Sequence, residues 1–293
     1  MAKIEKAGFG VVFPSPGAQP TADQIRLVLD GAVGWLAGVE RIDAATIASA
    51  KDLKAISRNG TGVDNIDLDA AEKAGVRILR AEGANARGVA ELTLAHILGA
   101  ARSLSASSSE LKAGRWTRTK GFELEGRTLG LIGCGRIGRL VARFALGFDM
   151  KVLAYDLYPD RSFAPSPSFR WAGLDEVFAF SDVVTLHCPP SADGGVVVDA
   201  RVLSTMKKGA VLVNTAREGL VDWPAMNDAL DSGRVAWYAV DAFDKEPPDN
   251  YDILRHPRVI PSAHIGGFTE ESIDRATEVA VDNLLAVIGS GAA

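Results

Sequence analysis

Over roughly its first 80 residues the chain alternates short apolar runs with stretches whose apolar residues recur at helical spacing. Gly10 to Phe13, Ala32 to Leu36, Leu53 to Ser57 and Val76 to Leu79 read as strands. Ala22 to Leu29, Ala44 to Ala50 and Leu68 to Lys73, which lie between them, read as helices. Strands separated by helix-length segments are not hairpins, so the pattern predicts a parallel sheet with helices on its faces. A long helical pattern, from Ala86 to Leu104, leaves this unit, and a polar Ser-rich run and a loop around Trp116 follow it. A second alternation starts at Thr128, with strand-like runs ending near Ile132, Tyr155, Leu186, Val213, Val240 and Ile260. That gives six strands of a doubly wound sheet. A last helical pattern, Glu271 to Ile288, is long enough to return to the first unit. The fold class expected is therefore α/β, with two doubly wound parallel-sheet domains.

Composition narrows the reading. The chain has 293 residues, 47% hydrophobic and 24% charged, long enough for two cores. Its net charge of −5 argues against a general nucleic-acid or acidic-membrane binder, which needs excess Lys and Arg. Cys134 and Cys188 are the only cysteines, too few for a disulfide framework. With no signal-peptide pattern at the N-terminus and no stretch long enough to span a bilayer, the expected location is cytoplasmic. No His/Cys cluster has metal-ligand spacing, so no metal is expected.

Chemistry concentrates after the strands of the second unit. Gly133, Gly135 and Gly138 stand between the run Thr128 to Ile132 and the helical pattern Ile137 to Phe144. A dinucleotide fold needs glycines there for a tight turn, for backbone approach to a pyrophosphate and for close helix packing. Asp156 ends the next strand, where a carboxylate binds ribose hydroxyls and repels a 2′-phosphate, so NAD is expected rather than NADP. Further along stand Asn214-Thr215-Ala216-Arg217, then Glu246 before Pro247, then His264 before Ile265-Gly266-Gly267. A histidine suits proton transfer near neutral pH, a carboxylate beside it orients the ring, and an arginine fork bridges a carboxylate and a carbonyl oxygen.

Arg217, Glu246 and His264 in this order, with Gly133-Cys134-Gly135-Arg136-Ile137-Gly138 upstream, resemble the D-isomer-specific 2-hydroxyacid dehydrogenase family. The resemblance is to phosphoglycerate dehydrogenases without their C-terminal regulatory domain, and it spans roughly residues 45 to 290. It implies a Rossmann NAD-binding domain over 85–268 and a smaller, flavodoxin-like substrate domain from 1–84 with 269–293. It also implies interconversion of a D-2-hydroxy acid and its 2-keto acid by hydride transfer, of the 3-phosphoglycerate or the glyoxylate and hydroxypyruvate kind. Arg217, Glu246 and His264 would be catalytic. Gly133, Gly135, Arg136, Ile137, Gly138, Asp156, Thr215, Ala216, Asp241, Gly266 and Gly267 would meet the cofactor. His187, Cys188 and Pro189 resemble the segment lining the adenosine side, and serve equally well as a buried structural pair of side chains. The loop Arg58, Asn59, Gly60, Thr61 and Gly62 would receive the substrate's carboxylate on backbone amides. Arg58 and Arg118 match arginines of phosphoglycerate dehydrogenases and read equally as surface charges.

Two departures accompany the resemblance. Gly10 to Phe13 matches the family's second strand, so the first sheet is expected to be reduced, and Arg80-Ala81-Glu82 stands where relatives carry small polar residues. The family's habit of pairing cofactor domains, with an apolar Ala86 to Leu104 helix that one protomer would struggle to cover, points to a homodimer. The alternative on the same fold is a non-enzymatic, NAD(H)-sensing protein of the corepressor kind.

Overall fold

The structure is a computed structural model that describes residues 2–15, 17, 19–190, 194–249 and 251–289. The chain divides into two compact units, Met1–Asn85 with Thr269–Ala293, and Ala86–Phe268.

The smaller unit holds α1 (Ala2–Lys6), α2 (Ala22–Leu27), β1 (Gly34–Ala37), α3 (Ala44–Ser49), β2 (Ala55–Arg58), α4 (Leu68–Lys73) and β3 (Arg77–Arg80). The strands pair in parallel in the order β1-β2-β3. Local chemistry starts its helices: Asp43 accepts from the Thr46 amide at 2.8 Å and Asp67 from the Ala70 amide at 2.9 Å. Ile25, Ile42, Ile47, Ile56 and Ile66 form the core on one face of the sheet. On the other face Ala55 packs with Leu284 and Ile288, which come from the helix Glu270–Ile288. The strand expected over Gly10 to Phe13 does not form. That segment is irregular and Val12 and Phe13 are exposed; the run is only four residues long and ends at Pro14, which has no N–H to give a ladder.

The larger unit opens with α5 (Ala86–Ala101) and α6 (Leu104–Lys112). It continues through β4 (Thr128–Ile132), α7 (Arg136–Gly147), β5 (Lys151–Tyr155), β6 (Phe169–Trp171), α8 (Leu174–Phe180) and β7 (Val183–Leu186). It ends with α9 (Ala200–Thr205), β8 (Ala210–Asn214), α10 (Trp223–Asp231), β9 (Val235–Val240) and β10 (Val259–Pro261), and α11 is the Glu270–Ile288 helix of the smaller unit. All seven strands are parallel, in the order β10-β9-β8-β7-β4-β5-β6. The order reverses at β4, which has β5 on one side and β7 on the other, and this reversal is where open α/β sheets bind ligands.

Three expectations change here. The sheet has seven strands instead of six. The extra one, β6, is three residues at an edge with mixed exposure, too short to carry a periodic signal. The long helix stops at Ala101, because Ser103 adopts a left-handed φ of 50°, and the polar Ser-rich run after it forms α6. Finally, α5 is covered within its own unit: Ala90, Ile97, Ala100 and Ala101 pack with Val141, Ala142 and Ala145 of α7 and with Val211 and Ala239 of the sheet. An uncovered α5 is therefore no argument for a dimer.

Candidate active site

The first strand end of the larger unit is built by close backbone approach. Gly133 turns at φ +90°, where L side chains are strained, and a Cβ there would stand 2.6 Å from the Cys188 nitrogen. A Cβ on Gly138 would stand 2.2 Å from the Gly133 carbonyl oxygen. Gly135 differs, since a Cβ there would meet nothing within 4 Å. It is the N-cap of α7 and, having no side chain, offers none as a cap to the helix's first turn. Free space beside an uncapped helix N-terminus fits the pyrophosphate of a dinucleotide.

Asp156 follows β5 and accepts from the Cys134 amide at 2.7 Å and the Tyr158 amide at 2.9 Å. These two donors fix a negative charge next to the glycine turn, where ribose hydroxyls would donate to it. His187 follows β7. Its Nε2 lies 3.0 Å from the Thr185 hydroxyl, its Nδ1 is buried without a partner, and burial pushes its pKa down to about 3. The ring is thus neutral. Burial pushes the Cys134 thiol up to about 12 and raises that of Cys188, so neither is a nucleophile at neutral pH. Pro189 is exposed.

The Arg217 turn is held from below. Asn214, fully buried at the end of β8, donates through Nδ2 to the Arg217 carbonyl at 2.7 Å and accepts through Oδ1 from the Ala216 amide at 3.1 Å. The Thr215 hydroxyl lies 3.0 Å from that of Thr93 on α5. Arg217 itself is half-buried and donates through Nη1 to the Ala216 carbonyl at 2.8 Å.

Asp241, expected at the cofactor, is engaged in holding the His264 loop. One oxygen accepts from the Ser262 hydroxyl at 2.6 Å and the Ile265 amide at 2.9 Å, and the other from the Gly266 amide at 2.8 Å. A Cβ on Gly266 would come within 3.0 Å of that second oxygen, which explains the glycine better than a ligand does. Gly267 next to it is half-buried. Ser262 also lies 3.0 Å from His96 Nε2, whose pKa is lowered by burial against the opposing charge of Asp241.

The loop so fixed presents His264 at φ +51°, with Nδ1 2.7 Å from Glu246 Oε1. A carboxylate only accepts, so Nδ1–H donates and the tautomer is set. Glu246 Oε1 also accepts from the Phe243 amide at 3.1 Å. Nε2 of His264 has no hydrogen-bond partner among the described residues, and the ring is about half exposed. The pair borders a cavity of about 570 Å³ lined mainly by Phe243, Pro247, Tyr251, Leu254 and Pro261.

Arg118 is exposed on the loop after α6. Arg58, Asn59, Gly60, Thr61 and Gly62 belong to the smaller unit and follow β2. Asn59 donates its amide N–H to the Ala37 carbonyl at 2.8 Å and its side-chain N–H to the Thr277 hydroxyl at 3.0 Å. The supporting residues Asn214, Ser262 and Thr93 were not foreseen. A polar residue closing an all-apolar strand, as Asn214 does, was the one signal that marked any of them. Among the described residues no group of three or more His, Cys, Asp or Glu side chains could hold a metal, and no helix is long and apolar enough to cross a membrane.

Fold and site together define a dinucleotide-binding α/β protein with a histidine–carboxylate pair and an arginine at the carboxyl edge of one sheet. Residues 94–266 match the model of the D-isomer specific 2-hydroxyacid dehydrogenase NAD binding domain, and the chain belongs to that family. It is 37% identical over 251 residues to the D-3-phosphoglycerate dehydrogenase of Methanocaldococcus jannaschii, covering 85% of this chain and 48% of that protein. The chain spans about half the length of the phosphoglycerate dehydrogenases it matches. It is 36% identical over 254 residues to the hydroxypyruvate reductase of Thermotoga maritima, covering 85% of this chain and 82% of that one. Among solved structures, the TT0316 protein of Thermus thermophilus superposes with a TM-score of 0.87 at 35% identity, over 99% of this chain and 93% of that one.

Proposed function

We propose that the protein is an NAD-dependent oxidoreductase that interconverts a D-2-hydroxy acid and its 2-keto acid, of the 3-phosphoglycerate or the glyoxylate and hydroxypyruvate kind. The observation that carries the reading is the His264–Glu246 hydrogen bond at 2.7 Å, which leaves Nε2 as the proton-transfer atom. Bound NAD supplies the hydride acceptor, held by the Gly133–Gly138 turn, the N-terminus of α7 and Asp156. In the oxidative direction His264 Nε2 takes the hydroxyl proton while Glu246 stabilises the resulting imidazolium. In the reductive direction the same nitrogen returns the proton to the carbonyl oxygen. Arg217 bridges the substrate's carboxylate and the oxygen on which charge develops. Asp241 keeps the histidine loop in register without touching the reacting atoms.

A panel of 2-keto acids followed by absorbance, with NADH and NADPH in parallel, tests this. At least one keto acid should be turned over, at least about tenfold better with NADH, since Asp156 repels a 2′-phosphate. NADH binding with no turnover of any acid would instead favour the sensing alternative.

We further infer a cytoplasmic homodimer. Free cysteines fit a reducing compartment. No residue of α6 is buried, and Leu104, Leu111 and Trp116 are exposed on it and the following loop, an apolar surface that a second copy would cover. Light scattering should give twice the 30.9 kDa chain mass, and a constant monomer mass at micromolar concentrations would refute the dimer.

A further inference from the structure

Arg217 and Glu246 leave the larger sheet on different strands. Arg217 lies on the turn after β8 and Glu246 on the loop after β9, and the pairing of those strands ends at Asn214 and Val240, where the next amide, Asp241, donates to the Asn214 carbonyl at 3.1 Å. Beyond that point the sheet no longer sets the distance between the arginine and the His264–Glu246 pair.

A side chain crosses the gap. Glu218, next to Arg217, accepts through Oε2 from the Asp244 amide at 2.7 Å. The preceding amide of that loop, Phe243, donates to Glu246 Oε1 at 3.1 Å, and the same oxygen accepts from His264 Nδ1. Consecutive amides of one loop thus hold the neighbour of Arg217 and the partner of His264. Both sides of the tie are firm. Glu218 opens the short 3-10 turn Glu218–Leu220, and Asn214 fixes the carbonyl of Arg217 just before it. Leu220 and Phe243 are buried in one hydrophobic cluster, and a Cβ on Gly219 would lie 3.4 Å from Asp244 Oδ2, so turn and loop abut.

Glu218 sits in an unfavourable place for a free carboxylate. Burial raises its pKa, the Asp244 amide opposes that rise, and the charges of Asp244, Asp249 and Glu246 add to it. A half-buried carboxylate among three other acids would turn out to water unless a donor held it, so the amide decides where this side chain points.

We infer that Glu218 is a positioning residue: by accepting from the Asp244 amide it ties the Arg217 turn to the Glu246 loop, and keeps the arginine and the His264–Glu246 pair at one spacing. This rests on the proposed dehydrogenase reading, in which the two groups act on one substrate.

Three substitutions separate reach from charge. Glu218→Gln keeps an acceptor at the same length and loses the charge, Glu218→Asp keeps the charge and is one methylene shorter, and Glu218→Ala loses both. Steady-state kinetics with a turned-over keto acid are measured beside NADH affinity and peptide-resolved hydrogen exchange over residues 242–249 of the cofactor-free chain. The Asp and Ala variants should lose about 5- to 50-fold in kcat with NADH affinity within about twofold of wild type, since misplaced groups cost turnover more than cofactor binding. Both should also exchange faster over 242–249. Glu218→Gln should stay within about threefold of wild type in kcat, because the tie survives. If the Ala variant does not fold, the Asp variant carries the test. Wild-type kcat in the Asp variant, or a Gln variant as impaired as the Ala variant, would overturn the inference. Exchange needs no substrate and so separates the two readings. Exchange that follows reach in a chain that reduces no keto acid defeats the dehydrogenase reading alone, and turnover indifferent to reach in a chain that does reduce one defeats this inference alone.

Discussion

At the strand ends of the larger unit, the carboxylates are held chiefly by backbone amides: Asp156 by two, Asp241 by two and a serine hydroxyl, and Glu246 by one besides His264. At the strand ends of the smaller unit, the buried Glu40 carboxylate accepts instead from a side chain, Trp35 Nε1, at 3.1 Å. The difference is one of rigidity. Charges fixed by the main chain cannot reorganise when charge develops on a reacting atom, which is what transition-state stabilisation requires. A carboxylate held by a side chain moves with that side chain instead. The strand ends of the larger unit are thus the more rigid, and that contrast can be broken.

The largest effect expected is on His264. Replacement by Asn keeps a side chain that tolerates the left-handed φ of 51° and removes the proton-transfer nitrogen. Turnover should fall by about 10² to 10⁴, while NADH binding, which depends on the glycine turn, stays nearly intact. Steady-state kinetics with a turned-over keto acid decide the matter. Turnover within a few-fold of wild type would mean that another group moves the proton.

Much of this contrast was readable from residues. Every strand longer than three residues was marked by its apolar run, and the residues following those runs included nearly all the chemistry. The failures share a cause. Strand Phe169–Trp171 and the absent strand at Gly10 to Phe13 depend on tertiary pairing, which no local pattern records. The break at Ser103 is a single backbone angle inside a continuous helical pattern. In the site, the types Arg, Glu and His were legible because their chemistry is specific. The supports were not: Ser262 and Thr93 act through distances across elements, and so do the hydrogen bonds by which Asp241 holds the loop 262–266. Glu40 was invisible because an acid before an Arg in a turn reads as solvated charge, and its burial comes from packing.

The smallest effect expected is on stability in mild acid, and it also separates the units, because all four histidines lie within residues 86–268. His187 has its pKa pushed down to about 3 by burial, against an ordinary value of 6.5. Its folded-state pKa is depressed, so below about pH 6.5 the unfolded chain takes up a proton that the folded chain refuses, and stability is lost as pH falls. His96, lowered by burial, acts in the same direction. Glu218, whose carboxyl burial raises, acts oppositely and only nearer the carboxylate range. In the smaller unit Asp43, lowered by its hydrogen bonds from Thr46, loses its contribution only below that range, outside the window from pH 7 to 5. Since His187 is only half-buried at its outer face, the loss expected across that window is on the order of 1–2 kcal/mol. Hydrogen exchange resolved by peptide, corrected for intrinsic rates, should show β4, β7 and β8 losing protection at pH 5 while β1 to β3 keep theirs. His187→Gln should remove about half or more of the loss. Equal loss in both sheets would erase the contrast between the units, and an unchanged pH dependence in His187→Gln would move the acid sensitivity to another group.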